Sequence, residues 1–337
     1  MSCSQLVRDR IDPLVNPGLL GTSHIHQIVG GNAFNTTMPL SSSDPATLST
    51  CTTCTFTDDF SNYWTAILYF RARNGTYKRV KQLGSLFHES AREGGMTIYY
   101  FPQFINPKPL AIKAFAPGFR MRVGHPDRNH PVNETGHPRT SPDWKPTALY
   151  DGITYTCLMD EGTRFTNLTD GFPNHPCPAG ILTTLPFPSC WDGKKLDSPG
   201  HQSHVAFAKG GTVGYTRGNP CPAEHPVMIP QIMLEIRWDT TEFNDPDLWP
   251  EEAGKQPFLW SFGDSLGYGH HGDYIFGWRG DSLQQTFDSL ECGGDQICGL
   301  PTQTIAKANE CMGERRVVEE VDGWLEEMPG GVVARPW

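Results

Sequence analysis

Residues 231–239, "QIMLEIRWD", alternate strictly, with Ile232, Leu234, Ile236 and Trp238 on one side and Met233, Glu235, Arg237 and Asp239 on the other. That period of two belongs to a β-strand, and no helix satisfies it. The same texture recurs along the chain. Residues 63–73 ("YWTAILYFRAR") and 96–104 ("MTIYYFPQF") are aromatic and β-branched runs bounded by turn residues. Residues 118–123 ("GFRMRV") place Phe119, Met121 and Val123 on one face and Arg120 and Arg122 on the other, and residues 257–264 add a further strand. Glycine (35) and proline (29) supply the punctuation, 64 of 337 residues, which is too much for a helical bundle.

The fold expected is therefore all-β, a β-sandwich or jelly roll with long Pro/Gly-rich loops. The longest loop covers 124–148. Helical spacing is confined to the end, over 281–292 and over 314–327, where Val317, Val318, Val321, Trp324 and Leu325 form one stripe. This divides the chain into a β-domain over 1–291 and a disulfide-anchored helical C-terminal appendage over 292–337, with Cys292, Cys298 and Cys311 as its staples.

Ten cysteines without a zinc-ribbon spacing point to an oxidised framework, with Cys51 and Cys54 of "CTTC" expected to close a short-range disulfide. Asn35, Asn74, Asn133 and Asn167 each begin an N-x-Ser/Thr sequon and are expected sites for N-linked glycans. Together these features predict a secreted, extracellular protein. The net charge of −10 argues against nucleic acid or an anionic membrane as partner, and no apolar run is long enough to span a bilayer.

Three constellations carry titratable chemistry. In "SHIHQIVGG" His24 and His26 sit two apart, the spacing that aims two imidazoles the same way from one strand, so both are candidate ligands to a divalent metal (copper, zinc or calcium). In "FPSCWDGKKLDSPGHQSHVAF", residues 187–207, Trp191, Asp192, Asp197 and His204 crowd one turn-rich stretch, where neighbours shift each other's pKa. In "SFGDSLGYGHHGDYIFGW", residues 261–278, five glycines interleave with Asp264, His271, Asp273, Tyr268, Tyr274 and Trp278. Such a run suits a glycan cleft, with carboxylates beside aromatic faces. P-loop, dinucleotide and Gly-x-Ser-x-Gly signatures are absent.

These segments, in this order, resemble the recurring blocks of a fungal secreted family catalogued as domain of unknown function DUF1996. The blocks are "RDRIDPLVNPGLLGTSHIHQIVGGNAF", "CTTC…SNYW", "GFRMRVG", "FPSCWDGKKLDSPGHQSHV", "CP…HPV" and "SFGDSLGYGHHGDYIFGW". The resemblance implies an extracellular fungal setting and a connection to wall glycans, and no particular reaction.

The function expected is a secreted carbohydrate-active enzyme cleaving a cell-wall polysaccharide, with a polysaccharide or oligosaccharide as partner. Asp192, Asp197, Asp264 and Asp273 form the pool for hydrolytic acid–base chemistry. His204 and His271, with Arg120 or Arg122 neutralising a uronate, would serve a lyase. Trp191, Arg120, Arg122, Tyr268, Tyr274 and Trp278 are the expected substrate contacts. The alternatives are a copper-dependent oxidative enzyme using His24 and His26, and a non-catalytic wall-binding protein. His24, His26, His204, His271 and Asp273 are expected to share one cleft. Glu235 is expected beside Arg237 or Arg120.

Overall fold

The computed structural model describes residues 1–83, 94–102, 104–105, 108–109, 111–130, 152–160, 162–164, 166, 168–209, 219–252, 254–289 and 299–336. Two antiparallel sheets form the body. One runs in the order Ser2–Ser4, Gly95–Phe101, Gln231–Asp239, Ile181–Pro186, Thr154–Cys157, and Lys81–Leu83 also pairs with Gln231–Asp239. The other runs Arg120–Gly124, His271–Ile275, Asn62–Ala66, His26–Gly30, Val7–Asp9. Their facing sides make the main core. Leu185 and Leu234 of the first sheet lie where a side chain on Gly272 of the second would stand, 3.1 and 3.3 Å from that position. The missing side chain at Gly272 therefore lets the sheets close on each other. The architecture is mostly β, with sandwich-like packing and few short helices.

The expected strand over 63–73 is two strands. Asn62–Ala66 lies in the second main sheet, and Leu68–Arg71 enters a four-stranded sheet with Phe258–Trp260, Tyr77–Arg79 and Trp324–Leu325. Ile67 is the crossing point, its amide donating to Ile25 O.

Alternation is legible in these strands, and both of their faces are buried. All five residues of Arg120–Gly124 and eight of the nine of Gln231–Asp239 are buried. Loop residues cover Arg120–Gly124: Arg120 Nη1 donates to Met38 O at 2.6 Å, and Arg120 O accepts from His204 Nε2. Glu235 is buried too, and its partners are Arg164 at 2.9 Å and Tyr99, not Arg237 or Arg120.

The tail departs from the sequence reading. Residues 282–288 are helical as predicted, but 314–327 form no helix, and among the tail's described residues the α-helix is the four-residue Ile305–Ala308. Tertiary partners take the backbone groups a helix needs: Asp9 accepts from the amides of Arg316 and Val317, and Val321 O accepts from Tyr69. Val318, on the expected apolar stripe, is 95% exposed.

Among the described residues four disulfides join Cys3 to Cys54, Cys51 to Cys311, Cys157 to Cys177 and Cys190 to Cys221. The "CTTC" pair therefore does not close on itself. Cys54 turns inward to Cys3, while Cys51 ties the tail to the body. Cys292 and Cys298 lie outside the described residues, as do Asn133, Asn167 and most of the 124–148 loop.

Candidate metal centre

His271 and Asp273 alternate onto the outer face of the strand His271–Ile275. In the register, Arg122 is opposite Asp273 and Gly124 opposite His271. Two strands away His26 pairs with Ala66. Continuing the pairing of Gly272 with Thr65 puts Ala66 between His271 and His26. A small residue in the middle leaves room for two imidazoles to approach over it. His24, just before the strand, points to the same side. Asp12 follows the edge strand Val7–Asp9, whose Asp9 pairs with His26.

The result is a buried cluster. One potential ligand atom from each of His24, His26 and His271 lies within 4.8 Å of the others, and the same is true of Asp12, His26 and Asp273. His24 Nε2 and His271 Nε2 are 3.1 Å apart. The edge of a zinc tetrahedron with metal–nitrogen bonds of about 2.0–2.1 Å is about 3.3 Å.

Hydrogen bonds fix the tautomers. His26 Nδ1 donates to Ile11 O and His271 Nδ1 donates to Gly269 O, because a carbonyl can only accept. Each ring therefore carries its free lone pair on Nε2. His24 Nδ1 meets Ser23 Oγ at 2.9 Å. Such outer contacts are what orient metal-binding imidazoles. One proton on His24 Nε2 can satisfy His271, but His26 Nε2 is buried without a hydrogen-bond partner, 3.9 Å from Asp12 Oδ2. Both carboxylate oxygens of Asp273 are likewise buried and unpartnered.

Electrostatics points the same way. Burial first, and neighbouring imidazoles second, hold His24 well below its usual range and His271 at about 3. Burial also lowers His26, against the pull of Asp12. Burial, then Asp12, pushes Asp273 well above the carboxylate range. Neutral imidazoles offer lone pairs, and a buried carboxyl without a hydrogen bond is costly, here even with Arg122 pulling against the shift from the paired strand.

Residues 12–278 match the family described as Domain of unknown function (DUF1996). That span is well over half of the chain. The chain belongs to this family. Asp12, His24, His26, His271 and Asp273 all fall inside the DUF1996 domain. No curated protein and no solved structure matches the chain.

Of the other residues singled out in the sequence, Arg122 stands opposite Asp273 and acts electrostatically on Asp273 and His271, Asp264 reaches the cluster through Gly269, and the rest are engaged elsewhere. His204 is buried, but its Nδ1 meets Ser198 Oγ at 2.8 Å and its Nε2 meets Arg120 O, so neither nitrogen is free to join the cluster. Asp192 accepts the amides of Lys194 and Lys195, and Asp197 holds His201 at 2.7 Å. Asp264 accepts the amides of Leu266, Gly267 and Gly269. Because Gly269 O in turn receives His271 Nδ1, Asp264 is a positioning residue for the cluster. Trp191, Tyr274 and Trp278 are buried in the core, and Tyr268 is half-buried. Arg120 and Arg122 are buried as well. Asp12 was not singled out in the sequence. It sits in an unremarkable stretch, "RDRID", and only strand pairing brings it to His26.

Proposed function

We propose that this DUF1996 domain is an extracellular metalloprotein, its centre a divalent transition ion held by His24, His26 and His271 and balanced by Asp12 and Asp273. The observation that carries this reading is the convergence of three neutral imidazoles on a buried point where His26 Nε2 and both Asp273 oxygens lack hydrogen bonds. Imidazole donors suit zinc or copper. Calcium prefers six to eight oxygens, which this set does not offer. Bound there, zinc would supply Lewis acidity and copper a one-electron couple. The chain's own part is to present Nε2 lone pairs, to exclude water and to keep two carboxylates beside the charge. Secretion is supported by four disulfides among the described residues, where no helix is long and apolar enough to cross a membrane.

A metal-dependent action on wall glycans is the catalytic version of this reading, supported by the setting the sequence resemblance implies. Acid–base glycan cleavage by Asp192, Asp197 and Asp264 ranks below it. Asp192 and Asp264 are committed to backbone amides, and the rings of Tyr274 and Trp278 are in the core.

The test is elemental analysis of protein secreted and purified without chelator. About one zinc or copper per chain is expected, falling below about 0.1 in His271→Ala and unchanged in Asp192→Asn. Wild-type protein without metal, and unable to take up either ion on addition, would refute the reading.

A further inference from the structure

The hairpin tip between Leu68–Arg71 and Tyr77–Arg79 reads Arg73-Asn74-Gly75-Thr76, and Asn74 opens a sequon. Asn74 is exposed, and its Oδ1 accepts from Thr76 N at 3.0 Å and from Thr76 Oγ1 at 2.8 Å. Nδ2 makes no hydrogen bond among the described residues, so the amide nitrogen is the open end of the side chain. Asn74 and Thr76 line an open groove of about 570 Å³, shared with Leu248, Asp247 and Trp324. Sites for small ligands span about 300–1,000 Å³.

Trp324 is the unusual wall. It is 48% exposed while Trp64, Trp238 and Trp260 are fully buried. Lys78 and Phe243 hold part of its ring, with Lys78 Nζ 5.4 Å from the ring centre and the Phe243 ring 6.3 Å away. Arg73 fixes the opposite bank by donating to Trp249 O and Pro246 O. Asn35 is exposed too, but its neighbour Phe34 packs inward on Trp64.

We propose that Asn74 carries an N-linked glycan whose first sugar lies in this groove against the face of Trp324. An indole face fits the C–H side of a pyranose, and covalent attachment at the groove's own rim removes most of the entropy cost of placing it. In the transfer, Asn74 Nδ2 forms a bond to the anomeric carbon of an N-acetylhexosamine on a polyprenyl pyrophosphate donor. The anomeric C–O bond breaks, the pyrophosphate leaves with its electron pair, and Nδ2 loses one proton. Because Trp324–Leu325 pairs with Tyr77–Arg79, the seated sugar clamps the tail strand to the body.

The test uses the full chain secreted from a glycosylating eukaryotic host. Intact glycopeptide mass spectrometry is expected to find Asn74 occupied, and an unmodified Asn74 overturns the proposal. Asn74→Gln and Thr76→Ala are each expected to lower the melting temperature by about 1–2 °C. In Trp324→Ala or, should that variant fold poorly, Trp324→Leu, the loss of the glycan is expected to cause no further shift. An undiminished shift in that background overturns the contact. Metal content is expected to be the same in all these variants, so failure here is separable from failure of the metal reading.

Discussion

His24 Nε2 and His271 Nε2 face each other at 3.1 Å across 247 residues of sequence. One shared proton satisfies that contact and leaves nothing for the lone pair of His26, whose Nδ1 proton is spent on Ile11 O. A single cation held there would be offered all three lone pairs and would ease the desolvation cost of Asp273. These unmet lone pairs and carboxylate oxygens are the ground for the proposed metal centre.

Asp264 sets the angle of His271 through one intermediary. Its Oδ2 accepts from Gly269 N at 2.7 Å, and Gly269 O accepts from His271 Nδ1 at 3.0 Å. Asp264→Asn puts a donor where an amide now donates. Metal affinity is expected to fall about 10–100-fold, the usual effect of an outer-contact change. Competitive titration with a chromophoric chelator measures it. An affinity equal to wild type would show that Asp264 does not position His271.

The buried Asp59 makes stability depend on pH. It accepts from Tyr63 OH at 2.7 Å and from Ser61 N, yet burial lifts its carboxyl from 3.8 to about 6. A raised carboxyl keeps its proton in the folded chain after the unfolded chain has lost it. The folded state is thus favoured most below pH about 4, and this contribution declines until about pH 6, by about 3 kcal/mol in all. Relative to Asp59→Asn, wild type is expected to lose about that much between pH 4 and pH 7 in denaturant unfolding. A difference constant with pH would contradict the assignment.

Cys51–Cys311 closes the longest loop among the described disulfides, with a sequence separation of 260. The paired variant Cys51→Ser/Cys311→Ser is expected to lose about 2–5 kcal/mol. Amide exchange is expected to speed first in the tail around Ile305–Ala308, whose Ala308 is fully buried. Loss spread evenly over the β-body would show that the bridge does not anchor the tail.

Much of the arrangement is legible in residue spacing. A period of two marks Gln231–Asp239 and Arg120–Gly124 as strands, and the same period aims His24 with His26 and His271 with Asp273. What spacing cannot show is which strands become neighbours. Asp12 reaches His26 only through the pairing of Asp9 with His26, and Ala66 matters only because it lies between two histidines in register. His204 shows the converse. It looks as ligand-like as His24, but Ser198 and Arg120 O have taken both its nitrogens. The failed helix over 314–327 has the same origin, since Asp9 claims amides that helical spacing assigns to the segment itself.

The most direct measurement is anomalous diffraction from crystals of the protein purified without chelator, collected above and below the zinc and copper edges. One anomalous peak is expected about 2.0–2.3 Å from Nε2 of His24, His26 and His271, with Asp12 and Asp273 beside it. A fully occupied metal held elsewhere, or crystals grown with added zinc and copper that show no peak among these three imidazoles, would contradict the proposed centre.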